Sequence, residues 1–89
     1  MAKSLRDSIF DDIEVEREYQ NEKWGNAFDD ANTVNDWVAY ITRYASNASF
    51  ANSIEDQKIA LLKVASLAVA AIEACERNNK FPPRHYDKI

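Results

Sequence analysis

The chain is 89 residues long, 46% hydrophobic and 29% charged, a globular composition close to the lower size limit for a self-sufficient core. Its formal net charge of −4 and isoelectric point near 4.9 argue against a general DNA or RNA binder, because phosphate backbones demand clustered Lys and Arg. One Gly and two Pro leave little turn material, so helices joined by short loops are expected.

Residues 1–89 read as one domain of three helices and a tail. Ser4-Leu5-Arg6-Asp7 has the form of a capping box. Leu5, Ile9, Ile13, Gln20 and Trp24 then share one stripe, and Gly25 offers a left-handed stop. The spacing predicts a first helix over about 5–24, with an acid-rich, solvated outer surface. Asn26 to Asn32 reads as a polar connection in which Phe28 pins the loop to the core.

Thr33-Val34-Asn35-Asp36 gives the second box. Val34, Trp37, Val38, Ile41, Tyr44, Ala45 and Ala48 recur at amphipathic spacing and predict a helix over about 34–52. Its small second half, Ala45 to Ser49, permits close helix approach or leaves a groove beside Tyr40 and Tyr44. Ser53-Ile54-Glu55-Asp56 opens a third helix over about 54–78, followed by a tail over 79–89 that begins at Asn79 and contains Pro82-Pro83.

That third helix is apolar on nearly every face from Ile59 to Glu73, interrupted by Lys63, Ser66 and Glu73. Such a helix belongs at the centre of a bundle. An 89-residue chain has little material to surround it, so the expectation is an all-α, three-helix subunit whose bundle is completed by homo-oligomerisation. Its Val64 to Ile72 stretch is too short to span a bilayer, and the N-terminus has no signal-peptide core. A cytoplasmic protein without membrane contact is expected. The single cysteine, Cys75, cannot form an internal disulfide or a zinc site and reads as a small buried hydrophobe.

Glu16-Arg17-Glu18-Tyr19-Gln20-Asn21-Glu22-Lys23-Trp24-Gly25 resembles the ER-x-x-Q-x-x-KWG opening of small phage and bacterial MazG-like proteins, which belong to the all-α nucleotide pyrophosphohydrolases. Val64 to Glu73 resembles their closing helix. The resemblance implies a MazG-like helical bundle and a nucleotide-like ligand. In that family magnesium is held by a run of glutamates on one helix and an acidic pair on another. Here the middle helix reads Asp36 to Tyr44 with one acid and Arg43, and the third helix has no acid between Asp56 and Glu73. Neither a catalytic residue nor a metal ligand is assigned, and no cofactor is expected unless the enzyme reading holds, which would need magnesium.

The remaining groups suit binding. Trp24, Trp37, Tyr40, Tyr44 and Tyr86 offer flat faces for a base, while Arg43, Lys63 and Arg84 offer cations for phosphate. Asn35, Asp36 and Asn47 could read base or ribose edges, and Lys23, next to Trp24, and His85, between Arg84 and Tyr86, complete the candidate ligand-binding set. Each has an ordinary structural role beside the functional one: Trp37 and Tyr44 as core, Asp36 as a helix cap, Arg43 as the partner of a surface acid. Lys63 needs either a salt bridge or a pocket, because an ammonium in an apolar stretch is otherwise costly. His85 has only Asp87 beside it, so the tail reads as a lid or docking arm.

Three readings follow. The first is a phage-type, non-catalytic protein that binds a nucleotide and sequesters a nucleotide-derived host immune signal in the host cytoplasm, in a pocket between the second and third helices closed by the tail. The second is a magnesium-dependent nucleotide pyrophosphohydrolase. The third is a helical adaptor that inhibits a host protein.

Overall fold

Hydroxyl caps set the helix starts. Ser4 Oγ accepts from the Asp7 N–H at 3.0 Å while Asp7 accepts from the Ser4 N–H at 3.4 Å. Thr33 and Asp36 make the same reciprocal pair at 3.2 and 2.9 Å. Ser53 accepts from the Asp56 N–H at 3.0 Å, half of the expected box. Each satisfies a backbone donor that the first helical turn leaves unpaired.

The computed structural model describes residues 3–88 and is all-helical there. Met1, Ala2 and Ile89, which the single-domain and tail expectations include, lie outside the described residues. The elements are α1 (Leu5–Lys23), α2 (Gly25–Ala31), α3 (Val34–Phe50), α4 (Ile54–Asn78) and a 3-10 turn, His85–Lys88.

The described residues therefore form four α-helices rather than three. The segment read as a polar connection is helical, because its Asn and Asp residues find tertiary partners instead of local turn bonds. Phe28 stacks between Trp24 and Tyr40, Asp29 is buried beside Arg17, and Asp30 accepts from Arg77 at 2.6 Å. Tertiary context overrides weak helix propensity. Gly25 has φ +80°, the left-handed backbone expected after Trp24, so α1 ends there and α2 departs in a new direction. Asn79, at φ 59°, ends α4 similarly.

α4 is central: it packs against α1, α2 and α3, most extensively α3. α1 and α3 do not pack on one another. Glu16 and Arg17 are neighbours on α1 yet reach Lys63 and Glu73, about 15 Å apart along α4 at 1.5 Å per residue. α1 thus lies across α4, not along it. The polar seam of α4 is where this crossing occurs: Lys63 meets Glu16, Glu73 meets Arg17, and Arg77 meets Asp30. Ser66, wholly buried, donates to the Leu62 carbonyl at 2.8 Å.

The core is small. Trp37 packs with Ala70, Ala71 and Ala74, and Tyr40, Leu67 and Phe81 close over them. α1 has no buried residue, and Leu5, Ile9 and Phe10 on its first half are exposed. Trp24, at the end of the predicted apolar stripe, is exposed too. Cys75 is half-buried rather than enclosed. No helix among the described residues is long and apolar enough to cross a membrane.

Candidate functional site

Because α1 and α3 straddle α4 without touching, a cleft opens between them. Its volume is about 420 Å³. α4 supplies the floor with Lys63, Leu67 and Ala70; α1 supplies Glu16, Tyr19, Gln20 and Lys23; α3 supplies Trp37, Tyr40, Arg43 and Tyr44. Trp24, Phe28 and Asp29 close one end.

That end is an aromatic wall. Trp24 and Phe28 stack with centroids 5.0 Å apart, Phe28 and Tyr40 at 6.4 Å, and Trp37 meets Tyr40 edge-on at 6.1 Å. Tyr40 Oη donates to Asn32 Oδ1 at 3.3 Å. Two buried donors, Trp37 Nε1 and Asn32 Nδ2, have no protein acceptor. An unpaired buried donor costs on the order of 1–3 kcal/mol; both atoms are shielded from solvent, and Asn32 does not line the cleft.

Cations gather in the same cleft. Lys23 lies over Trp24 at 5.2 Å and over Tyr19 at 6.0 Å. Lys63 lies 5.9 Å from the Tyr19 ring and 5.8 Å from the Tyr44 ring, and donates to Glu16 at 2.8 Å. The hydrogen bond that Lys63 donates to Glu16 holds its ammonium above its ordinary pKa, against the opposing effect of burial, so Lys63 is charged at neutral pH. Three cations, Lys23, Arg43 and Lys63, face two acids, Glu16 and Asp29, a local positive balance on an acidic chain.

Burial pushes the Asp29 carboxyl up, although Arg17 and Arg77 pull it down. The folded protein holds this proton more tightly than the unfolded chain does. Its contribution to stability therefore falls as pH rises from the unfolded value through the raised folded one. Asp29→Asn should be neutral or stabilising at pH 7, and its advantage should vanish near about pH 3, where the carboxyl is protonated in both states. Thermal unfolding at the two pH values checks this; a clear loss of stability at pH 7 would mean that the Arg17 contact outweighs burial.

Of the residues expected from the sequence, Lys23, Trp24, Trp37, Tyr40, Arg43, Tyr44 and Lys63 come together in the cleft. Asn35, Asp36, Asn47, Arg84, His85 and Tyr86 do not line it. Asp36 is committed to the Thr33 cap. Arg84 is bound to Asp87 at 2.9 Å and stacks on Tyr86, and Tyr86 Oη accepts from Asn35 at 3.4 Å. His85 and Asn47 are exposed. The cleft thus lies between the first and third helices over α4, and the tail folds toward the start of α3 rather than over the cleft.

Tyr19, Glu16, Gln20, Phe28 and Asp29 were not singled out from the sequence as ligand contacts. Glu16, Tyr19, Gln20 and Lys23 fall at i, i+3, i+4 and i+7, one face of α1, and that spacing was the available signal. Glu14, Glu18 and Glu22 are exposed on α1. Among the described residues no group of three or more His, Cys, Asp or Glu side chains is placed to share a metal ion. On the other flank of α1 a second depression includes Phe10, Arg17 and Arg77, but both arginines are already paired, with Glu73 and Asp30.

No protein-family model, curated protein or solved structure matches the chain.

Proposed function

We propose that the protein binds a nucleotide-like small molecule in this cleft and leaves it chemically intact. The observation that carries the reading is the meeting of an aromatic wall, Trp24, Phe28 and Tyr40, with Lys23, Arg43 and Lys63 in one recess. A planar base can stack on such a wall, and phosphate oxygens find charge-assisted donors beside it. The two carboxylates of the recess already face cations, Glu16 toward Lys63 and Asp29 toward Arg17, which supports binding without a metal cofactor. The scaffold is MazG-like in this reading, as the Glu16 to Gly25 segment suggests. Retention without turnover matches a phage-type role in sequestering a nucleotide-derived host signal. So little of the apolar surface is buried that we also place the subunit in a homo-oligomer.

The test is native mass spectrometry of the purified protein, followed by calorimetric titration with mono-, tri- and cyclic nucleotides in the presence of EDTA. Binding in EDTA, with the nucleotide recovered unchanged, is the expected result. Release of pyrophosphate on adding magnesium would replace this reading with the hydrolase. No affinity for any nucleotide, together with salt-sensitive association with one host protein, would replace it with the adaptor.

A further inference from the structure

The back of α4, turned away from α1 and α3, carries an unpartnered apolar stripe. Leu61, Ala65, Ala68, Ile72 and Cys75 follow one another at spacings of four, three, four and three residues, the seam of a coiled coil. Leu61 is 57% and Ile72 60% exposed and Ala65, Ala68 and Cys75 between and beyond them are half-buried, while the opposite side of the same helix holds Ala60, Ser66, Ala70, Ala71 and Ala74 buried. A helix with two apolar faces, one of them covered, needs a second partner.

The area exposed is that of a subunit, not of a finished molecule. A folded monomer of 10.2 kDa exposes about 5,300 Å² by the usual mass scaling; this chain exposes 6763 Å². The difference exceeds the roughly 800 Å² that each partner buries in a standard interface. The radius of gyration, 14.7 Å, is likewise above the roughly 12 Å expected for a compact chain of this length.

We propose that the stripe is the seam of a twofold homodimer in which two copies of α4 run antiparallel. Charge selects the orientation. Lys58 and Glu76 flank the two ends of the seam, both exposed, and neither forms an ion pair among the described residues. An antiparallel pair centred between Ala65 and Ala68 sets Leu61 against Ile72 of the second copy, packs small residues at the axis, and brings Lys58 to Glu76 of the second copy twice. Glu55 sits further round the helix. A parallel pair in register sets Lys58 level with Lys58, about 27 Å from either Glu76, and forms no such ion pair. Both arrangements close on a twofold axis; only the antiparallel one pairs the opposite charges.

The dimer does not depend on what the cleft binds. Light scattering on the wild-type protein should give about twice 10.2 kDa, and Ala65→Glu should return the mass to one chain with helical circular dichroism retained, since Ala65 faces away from the core. Lys58→Glu and Glu76→Lys should each weaken the dimer about tenfold, more at low salt, and the double variant should recover it. Mild oxidation should yield no disulfide-linked dimer, because each Cys75 faces Lys58 of the second copy, about 25 Å from the other Cys75 by helical rise. A monomeric wild type, an Ala65→Glu variant of unchanged mass, a double variant without recovery, or a Cys75–Cys75 dimer would each overturn the proposal.

Discussion

Replacing Trp37 with alanine should cost about 3–5 kcal/mol, a large share of the roughly 5–15 kcal/mol that holds a typical small domain folded. Trp37 is 2% exposed and is the one large side chain among the buried core residues; its buried neighbours are alanines. Alanines cannot swell to fill the space, and helices α3 and α4 would have to collapse together to close it. Urea unfolding followed by circular dichroism measures the loss, with Val38→Ala, at an exposed position next along the chain, as the comparison that should change little. A Trp37→Ala protein with an unaltered midpoint would mean that the α3–α4 contact is organised around something else.

The second large effect falls on Lys63, whose ammonium serves both the fold and the cleft. Lys63→Met keeps the length of the side chain and removes the charge. Affinity for a nucleotide should fall about tenfold or more, the size of a lost charge-assisted hydrogen bond. Stability should fall by about 1–2 kcal/mol, because Glu16, 16% exposed at its side chain, is left without its cation; the value sits below that of a fully buried pair because Lys63 is partly solvated. Glu16→Gln added to Lys63→Met should recover the stability and not the affinity. Calorimetry and thermal unfolding on the single and double variants separate the two roles, and an affinity that returned with the stability would remove Lys63 from the proposed site.

The helices were legible where a periodic stripe coincided with a hydroxyl cap. Ser4, Thr33 and Ser53 mark three starts, and the ends differ from expectation by one residue at Trp24 and two after Phe50, within the fraying common to helix termini. α2 was not legible, because the residues that stabilise it as a helix (Arg17, Tyr40 and Arg77) lie on other elements. The cleft was legible in half its members. Tyr40, Tyr44, Arg43 and Lys63 stand out as aromatic or charged groups on apolar helices, and Lys23 and Trp24 stand out in the Glu16 to Gly25 segment. The tail residues misled for a physical reason: Arg84, Tyr86 and Asp87 look available in sequence, yet they satisfy one another and Asn35. Of the relation of α1 to α4 only the need of Lys63 for a salt bridge or a pocket was legible, since a crossing made by ion pairs leaves no hydrophobic period behind it.

That crossing has a consequence for how choosy the recess can be. One of its walls, α1, rests on α4 through Glu16–Lys63 and Arg17–Glu73 and has no side chain locked into the interior. Ionic footings tolerate tilting far better than interlocked side chains do. On the proposed binding reading, small rotations of α1 about Gly25 would widen or narrow the gap between α1 and α3. If the cleft binds as proposed, a jaw mounted in this way would accept guests of several sizes, so tolerance of related shapes rather than stringent selection is the behaviour to expect.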